Sequence, residues 1–415
     1  MKHLALGAGL AVLALVACDD DVVGQAPVPR PTERVAPHEP GLPQVRPPTH
    51  EATTPFPVTA TPDLERALAV MGAVVDVHAA DPENPWAIAH GLLARGGGFT
   101  LTNGQPAVPY LFQRYAFEQD LSGRTLVGFP READGVRIEP HTDLVLKNLT
   151  ETDLAPDFVV DVAGKPHTLA DLWHHSLLTT FLKKSDGSSS YDSPNDMPWG
   201  LSGLAAWGPE DLAWTSWEGT PMSMDDMARF LVHVLTQETG FMREAMVSGQ
   251  DFQKRGQGIF KYTCGGAHLL QGAIHVVARG YGGPQERAKM AAQGQLLYYR
   301  LPRELKIYQD AMKAYPNRRL VLLVQQLKFT GHWLESAHKL AIAGLYTPDA
   351  AEQLMLAEAV GVVVETVREL KALGAMDNLV QLRAKNEQLY LDIVGDSAHA
   401  IRGVELALGT GVYRY

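Results

Sequence analysis

The sequence predicts a mainly α-helical protein in which helical hairpins carry one small, irregular and partly β insertion. A capping residue precedes a proline at Thr61-Pro62, Asn84-Pro85 and Thr347-Pro348, and this order marks helix starts because proline loses no hydrogen bond at the first helical position. Residues 348–373 repeat apolar side chains at helical spacing, which is typical of a helix buried along a broad face. Turn and strand signals are concentrated at about residues 97–166.

The same capping and periodicity signals predict the order of the elements. Helices are expected at 62–80, 85–95, 169–183, 224–239, 264–279, 285–299, 302–315, 318–344, 348–373 and 377–406. The insertion opens after a run of glycines, contains the hairpin dipeptide Asn103-Gly104, and has strand-like runs at 125–129, 136–138 and 158–162. Repeated helical hairpins must cover one another's apolar faces, so they close into a bundle or a ring, and we favour the ring.

The N-terminal end has the pattern of an exported protein. Lys2 precedes an apolar run that ends in Leu15-Val16-Ala17-Cys18, and aspartates follow at once. A charged start, a short apolar segment and a small residue before the cut are typical of a secretory signal peptide. With its cysteine, this segment resembles the lipobox of bacterial lipoproteins. The resemblance implies that residues 1–17 are removed and that Cys18 is lipidated; an ordinary signal peptide is the alternative.

The lipid would anchor the protein to a membrane of the cell envelope, facing the periplasm or the exterior. Residues 18–60 are rich in proline and are expected to form a linker, because they have little apolar surface to offset the entropy of ordering. Residues 61–415 then form the helical domain. The formal net charge of −11, without a basic cluster, excludes nucleic acid as a partner. With Cys18 lipidated, Cys264 has no disulfide partner.

A short Ala-His motif recurs in the predicted helices. It occurs at His90, His268, His338 and His399, each preceded by alanine and followed two positions later by an apolar residue. The pattern resembles the α/α toroids used by glycan- and peptide-processing enzymes, which implies that these histidines face one central cavity. Chance recurrence in an apolar-rich chain is the alternative.

Cys264, His268 and His90 are candidate catalytic residues. A thiol and an imidazole one helical turn apart can form a nucleophile–base pair or supply two zinc ligands. Cys264-Gly265 resembles a zinc motif of lanthionine-synthetase-like toroids, although that family's second cysteine ligand has no counterpart here. A buried, inert cysteine is the alternative.

Two carboxylates each precede a histidine by three residues, Glu335 before His338 and Asp396 before His399. On a helix this spacing directs both groups to one side, as in di-metal carboxylate bundles. These four residues are therefore candidate ligands for zinc or iron, although the sequence supports no full di-metal site and identifies no cofactor. The alternative is that both carboxylates are helix-surface or capping groups.

Four tryptophans are close together beside a polar loop: Trp199, Trp207, Trp214 and Trp217. Their flat apolar faces are candidates for binding sugars or partner side chains. The alternative is that they attach the loop to the helical body.

These patterns leave two functional hypotheses for an envelope lipoprotein of unknown specific activity. One is a toroid-like enzyme that acts on an envelope glycan or peptide. The other is a non-catalytic binding or scaffold protein that contacts another envelope protein. Convergence of at least three of the Ala-His histidines on one reachable cavity would favour the enzyme.

Overall fold

The structure, a computed structural model, describes residues 42–183 and 186–415. The predicted signal peptide, Cys18 and the first part of the predicted linker lie outside the described residues. The described part is mainly helical with small two-stranded antiparallel sheets, which confirms the predicted fold class. None of its helices combines the length and the apolarity needed to cross a membrane.

Fourteen α-helices are present in the described residues. They are α1 (Pro62–Val74, continued by a π-helical turn at Val75–Ala79), α2 (Pro85–Arg95), α3 (Ala107–Tyr115), α4 (Leu144–Thr150), α5 (Leu169–Thr179), α6 (Met197–Trp207), α7 (Met224–Glu238), α8 (Gly240–Val247), α9 (Ala267–Ala278), α10 (Pro284–Ala314), α11 (Arg319–Ile342), α12 (Ala350–Ala372), α13 (Leu379–Lys385) and α14 (Glu387–Leu408). Short 3₁₀ turns occupy Gly258–Lys261 and Pro316–Arg318.

The strands are short and pair only in twos. They are β1 (Glu51–Ala52), β2 (Phe117–Leu121), β3 (Arg124–Gly128), β4 (Glu132–Ala133), β5 (Val136–Arg137), β6 (Val159–Val162), β7 (Lys165–Thr168), β8 (Ala213–Thr215), β9 (Pro221–Ser223) and β10 (Tyr413–Arg414). Consecutive strands from β2 to β9 form antiparallel hairpins, whereas β1 pairs with β10. The Asn103-Gly104 turn is closed by a single bridge between Thr100 and Pro106.

Two of the differences from the predicted helix bounds have a clear physical cause. Helix α10 continues through Pro302, where a break was expected. The buried side chains of Tyr298, Leu301 and Tyr308 lie on both sides of this proline, so packing holds the helix together despite the lost hydrogen bond. The last predicted helix is divided at Asn386, whose side chain accepts a hydrogen bond from the Leu389 N–H and caps α14.

Helices α11 and α14 lie at the centre of the molecule. Every residue from Leu322 to Leu340 except Gln325 is buried, and α11 packs against α9, α10, α12 and α14. A helix that is buried on all sides occupies a core rather than the wall of an open ring. The described helices therefore form a bundle and not a ring, because they do not surround an open centre.

Two glycines bring α11 and α14 together. A Cβ atom on Gly331 would lie 2.9 Å from the Ala400 Cα atom, and one on Gly403 would lie 2.6 Å from the Gly331 carbonyl oxygen. Earlier in both helices, Lys328 of α11 contacts Asp396 of α14. Residue numbers therefore rise in the same direction along the two helices, which run parallel. This close packing places His332 beside His399.

The end of the predicted linker lies against the helical body. The Arg46 N–H donates to the Trp207 carbonyl and the Val58 N–H to the Ala407 carbonyl, both at 2.8 Å. Thr54 is 7% exposed, and its hydroxyl shares a hydrogen bond of 2.8 Å with His338 Nδ1. Residues 46–58 are thus part of the folded body, because their backbone and side chains find partners there, and the boundary expected at residue 60 is too late.

Candidate metal centre

Three imidazoles meet where α9, α11 and α14 pack together. His268, His332 and His399 each offer one ring nitrogen, and these nitrogens all lie within 4.8 Å of one another. The ring centroids are 4.0 Å apart for His332 and His399 and 4.7 Å apart for His268 and His332. His332 and His399 are buried, while His268 is half-buried. We call these three residues the histidine cluster.

His90 of α2 adjoins the histidine cluster. Its ring centroid is 5.6 Å from that of His399. Its Nδ1 atom donates a 2.8 Å hydrogen bond to the Trp86 carbonyl, so its lone pair is on Nε2. Three of the four Ala-His histidines, at positions 90, 268 and 399, are therefore brought together.

The fourth Ala-His histidine lies elsewhere. His338 is six residues after His332 on α11, which turns its side chain about 120° away at 100° per residue. It bonds instead to Thr54. The predicted pairing of Glu335 with His338 is therefore not found, since Glu335 contacts His399 and Lys339 while His338 bonds to Thr54.

Glu335 fixes the orientation of His399. The imidazole Nδ1–H donates to Glu335 Oε2 at 3.0 Å, which leaves His399 Nε2 as the free acceptor. Glu335 is fully buried, and its Oε1 atom lies 2.7 Å from Lys339 Nζ. Lys339 also contacts both oxygens of Glu151 at 2.9 Å. Burial opposes ionisation of Glu335, but Lys339 and the hydrogen bond from His399 outweigh it and hold the Glu335 pKa well below its usual value.

Burial keeps the imidazoles neutral. It is the largest cause of the lowered pKa of His268, His332 and His399, and neighbouring imidazoles lower the pKa of His268 and His332 further. The His90 pKa falls to about 3, again mainly through burial. Neutral imidazole is the form that binds metal ions. His332 Nδ1 is also buried without a hydrogen-bond partner in the part of the chain that the structure describes, which is uncommon for a buried polar atom.

Cys264 does not lie on the helix of His268. Gly265 and Gly266 have φ of 58° and 73°, and this left-handed turn delays the start of α9 to Ala267. The thiol faces Asn195 Oδ1 at 4.0 Å, and burial raises its pKa. The expected alignment of Cys264 with His268 on one helix face is therefore not found, and the thiol is not activated as a nucleophile.

Asp396 is buried one turn before His399 but faces Lys328, whose Nζ atom is 4.0 Å away. Burial raises its pKa well above the usual value. The structure thus separates the two halves of the predicted Asp396–His399 ligand pair, and His399 alone belongs to the cluster.

The tryptophans line the interior and not an exposed rim. Trp199, Trp207 and Trp214 are 2%, 0% and 7% exposed, and Trp217 is half-buried. The Trp214 indole donates to the Thr180 carbonyl at 3.1 Å. This placement fits the alternative that they attach the loop to the body. Trp199 also covers the histidine cluster, with its ring 4.1 Å from that of His268.

A buried acidic group lies beside Trp199. His141 stacks on that indole and lies 3.6 Å from Asp196, which accepts from Arg131 at 2.9 Å. Nearby, Asp143 accepts from the Ser176 hydroxyl at 2.7 Å. Burial raises the Asp143 pKa to about 6.

We expect Asp143→Asn to stabilise the protein at pH 7 and to reduce the dependence of its stability on pH. The raised folded-state pKa means that protonated Asp143 favours folding below pH 4, and that this contribution is lost as the pH rises through about 6. Urea unfolding between pH 4 and 7 measures the effect. Asp134→Asn is the control, because Asp134 has the same left-handed backbone, with φ of 52°, but is exposed. Equal pH profiles for wild type and Asp143→Asn would contradict the assignment.

Sequence reasoning missed His332, because it lies outside the Ala-His motif. A usable signal was present: His332 precedes Glu335 by three residues in the same predicted helix. On a helix, a histidine three residues before a glutamate is as close to it as a histidine three residues after it.

Comparison with protein-family models found no match, and comparisons with curated proteins and with solved structures found no similar protein.

Proposed function

We propose that this chain is a lipid-anchored cell-envelope protein whose helical body binds one divalent transition-metal ion, zinc, through His268, His332 and His399. The observation that carries the proposal is the placement of three ring nitrogens, from three different helices, within 4.8 Å of one another. Ligands at about 2.0–2.1 Å from zinc are about 3.4 Å apart in a tetrahedral site. Small rotations of the rings would close the remaining distance.

The surroundings of the histidine cluster support metal binding over simple packing. Buried polar atoms are normally hydrogen-bonded, yet His332 Nδ1 has no such partner. A carboxylate that accepts the second N–H of a ligand histidine is the usual support of a metal-bound imidazole, and Glu335 has this place beside His399. Metal binding would satisfy the cluster's free nitrogens.

Three protein ligands leave one coordination position open, as in catalytic zinc sites. A metal held there by the three histidines would supply Lewis-acid chemistry to a bound small molecule. His399 and His332 are only 2% and 3% exposed, so the substrate of such a centre is small. This burial favours a small molecule over a glycan chain or a long peptide as the substrate.

We expect purified full-length protein to contain about one zinc ion per chain, and His332→Ala or His399→Ala to remove it while helical content is kept. Elemental analysis and circular dichroism measure these results. His338→Ala is the matched control, because His338 is equally buried on α11 but bonds Thr54 outside the cluster. If the wild type contains iron and the same two substitutions remove it, the proposed metal centre stands and only the identity of its ion changes. Metal-free protein would leave the scaffold alternative.

Anchoring requires a separate test. Wild-type protein should incorporate a fatty-acid analogue, and Cys18→Ser should be released in soluble form or remain unprocessed. Wild-type protein that carries no lipid would refute the anchor without affecting the metal centre.

A further inference from the structure

We infer that the metal centre binds a small anion, such as a carboxylate or another compact oxyanion, between the metal and the ammonium group of Lys147. This inference rests on the proposed metal site. It deepens that proposal by naming the charge and the size of the ligand at the open position.

Lys147 of α4 is a buried cation that has an ion pair but no hydrogen bond. The residue is 3% exposed, and its Nζ atom makes no hydrogen bond to the described residues. It lies 3.0 Å from Glu151 Oε1, but this ion pair does not have hydrogen-bond geometry. The N–H groups of Lys147 therefore remain available inside the protein, where an unmade hydrogen bond is costly.

The position of Lys147 is beside the histidine cluster. Its Nζ atom is 5.4 Å from the centroid of the Trp199 ring, and that ring covers His268. A ligand bound to the metal beside Trp199 would thus have this ammonium group as a neighbour.

The buried charges around the site favour an anionic ligand. Lys147 and Lys339 are matched by Glu151 and Glu335, and the imidazoles of the cluster are neutral. A divalent ion on these imidazoles adds two positive charges to the interior without a matching carboxylate. Arg402, which lies 4.0 Å from Glu151, increases the positive excess. Because isolated buried charge is strongly unfavourable, an anion at the open position is favoured over a neutral ligand.

Azide titration of the cobalt-substituted full-length protein tests the inference. Cobalt(II) reports the ligands of such a site through its visible spectrum, and azide is a small anionic probe. We expect a saturable spectral change with wild type. Lys147→Met should weaken azide binding by about tenfold or more, as for the loss of one charge-assisted hydrogen bond, without loss of cobalt. Lys147→Arg, which keeps the charge, should retain most of the affinity.

Lys289→Met is the matched control, because Lys289 also pairs within its helix with a buried glutamate, Glu286, at 3.2 Å. It should bind azide like wild type. An unchanged cobalt spectrum at high azide concentration, or equal azide affinity in Lys147→Met and wild type, would overturn the anion inference while the metal site stands. Failure of wild type to bind cobalt at all would instead refute the proposed function. If Lys147→Met does not fold, the wild-type titration together with Lys147→Arg decides the question.

Discussion

Replacing Gly331 with alanine is expected to destabilise the protein by about 2–4 kcal/mol and to remove the bound metal. The new Cβ atom would meet the backbone of Ala400 at 2.9 Å from Cα and 3.0 Å from N. Backbone atoms cannot rotate away as a side chain can, so α14 must shift. That helix carries His399, and a shift of α14 separates its imidazole from those of His268 and His332. Urea unfolding and metal content measure the two effects.

Gly361→Ala is the control for this substitution. Gly361 is also inside a long helix, α12, but a Cβ atom there would have no neighbour within 4 Å. Alanine has the higher helix propensity, so this variant should gain about 0.5–1 kcal/mol. A Gly331→Ala protein as stable as wild type, with metal retained, would show that the close contact of α11 and α14 is not required.

Helices with strong caps and one apolar face could be predicted from the sequence. Helix α2 has the predicted bounds, and Asn84 caps it by accepting from the Ala87 N–H at 3.1 Å. Helix α6 was missed because it is buried on every side, contains two glycines, and therefore lacks the amphipathic pattern. Helix α4 is a single short segment without a side-chain cap. Such helices are stabilised by packing against neighbouring elements, and their own sequence has no strong helix signal.

The histidine cluster was predicted only in part for a similar reason. The Ala-His motif identified His90, His268 and His399, but membership of the cluster depends on how each helix is rotated in the bundle. His332 and His338 are on the same helix, and only the first faces α14. The glycines at 331 and 403 set this rotation through close backbone contact. A motif of two residues carries no information about that packing.

The ion network behind Glu335 provides the second large expected effect. Lys339 contacts Glu335 at 2.7 Å and Glu151 at 2.9 Å, and all three side chains are 6% exposed or less. Burial opposes the charge on Lys339, but the two carboxylates outweigh it and raise its pKa. Removing Lys339 leaves the buried Glu335 carboxylate without its cationic partner.

Lys339→Met is therefore expected to destabilise the protein by about 3–5 kcal/mol, as for one partner removed from a buried ion pair. Adding Glu335→Gln should restore part of this loss, because the double variant has no unpaired charge at position 335. It should still bind metal more weakly than wild type, since a neutral amide supports the His399 imidazole less well than a carboxylate.

Lys306→Met is the control. Lys306 forms an exposed pair with Asp310, so this substitution should change stability little. Urea unfolding of all four proteins measures these differences. A double variant less stable than Lys339→Met alone would show that the Glu335 carboxylate stabilises the fold without its lysine, and would contradict the role assigned to this network.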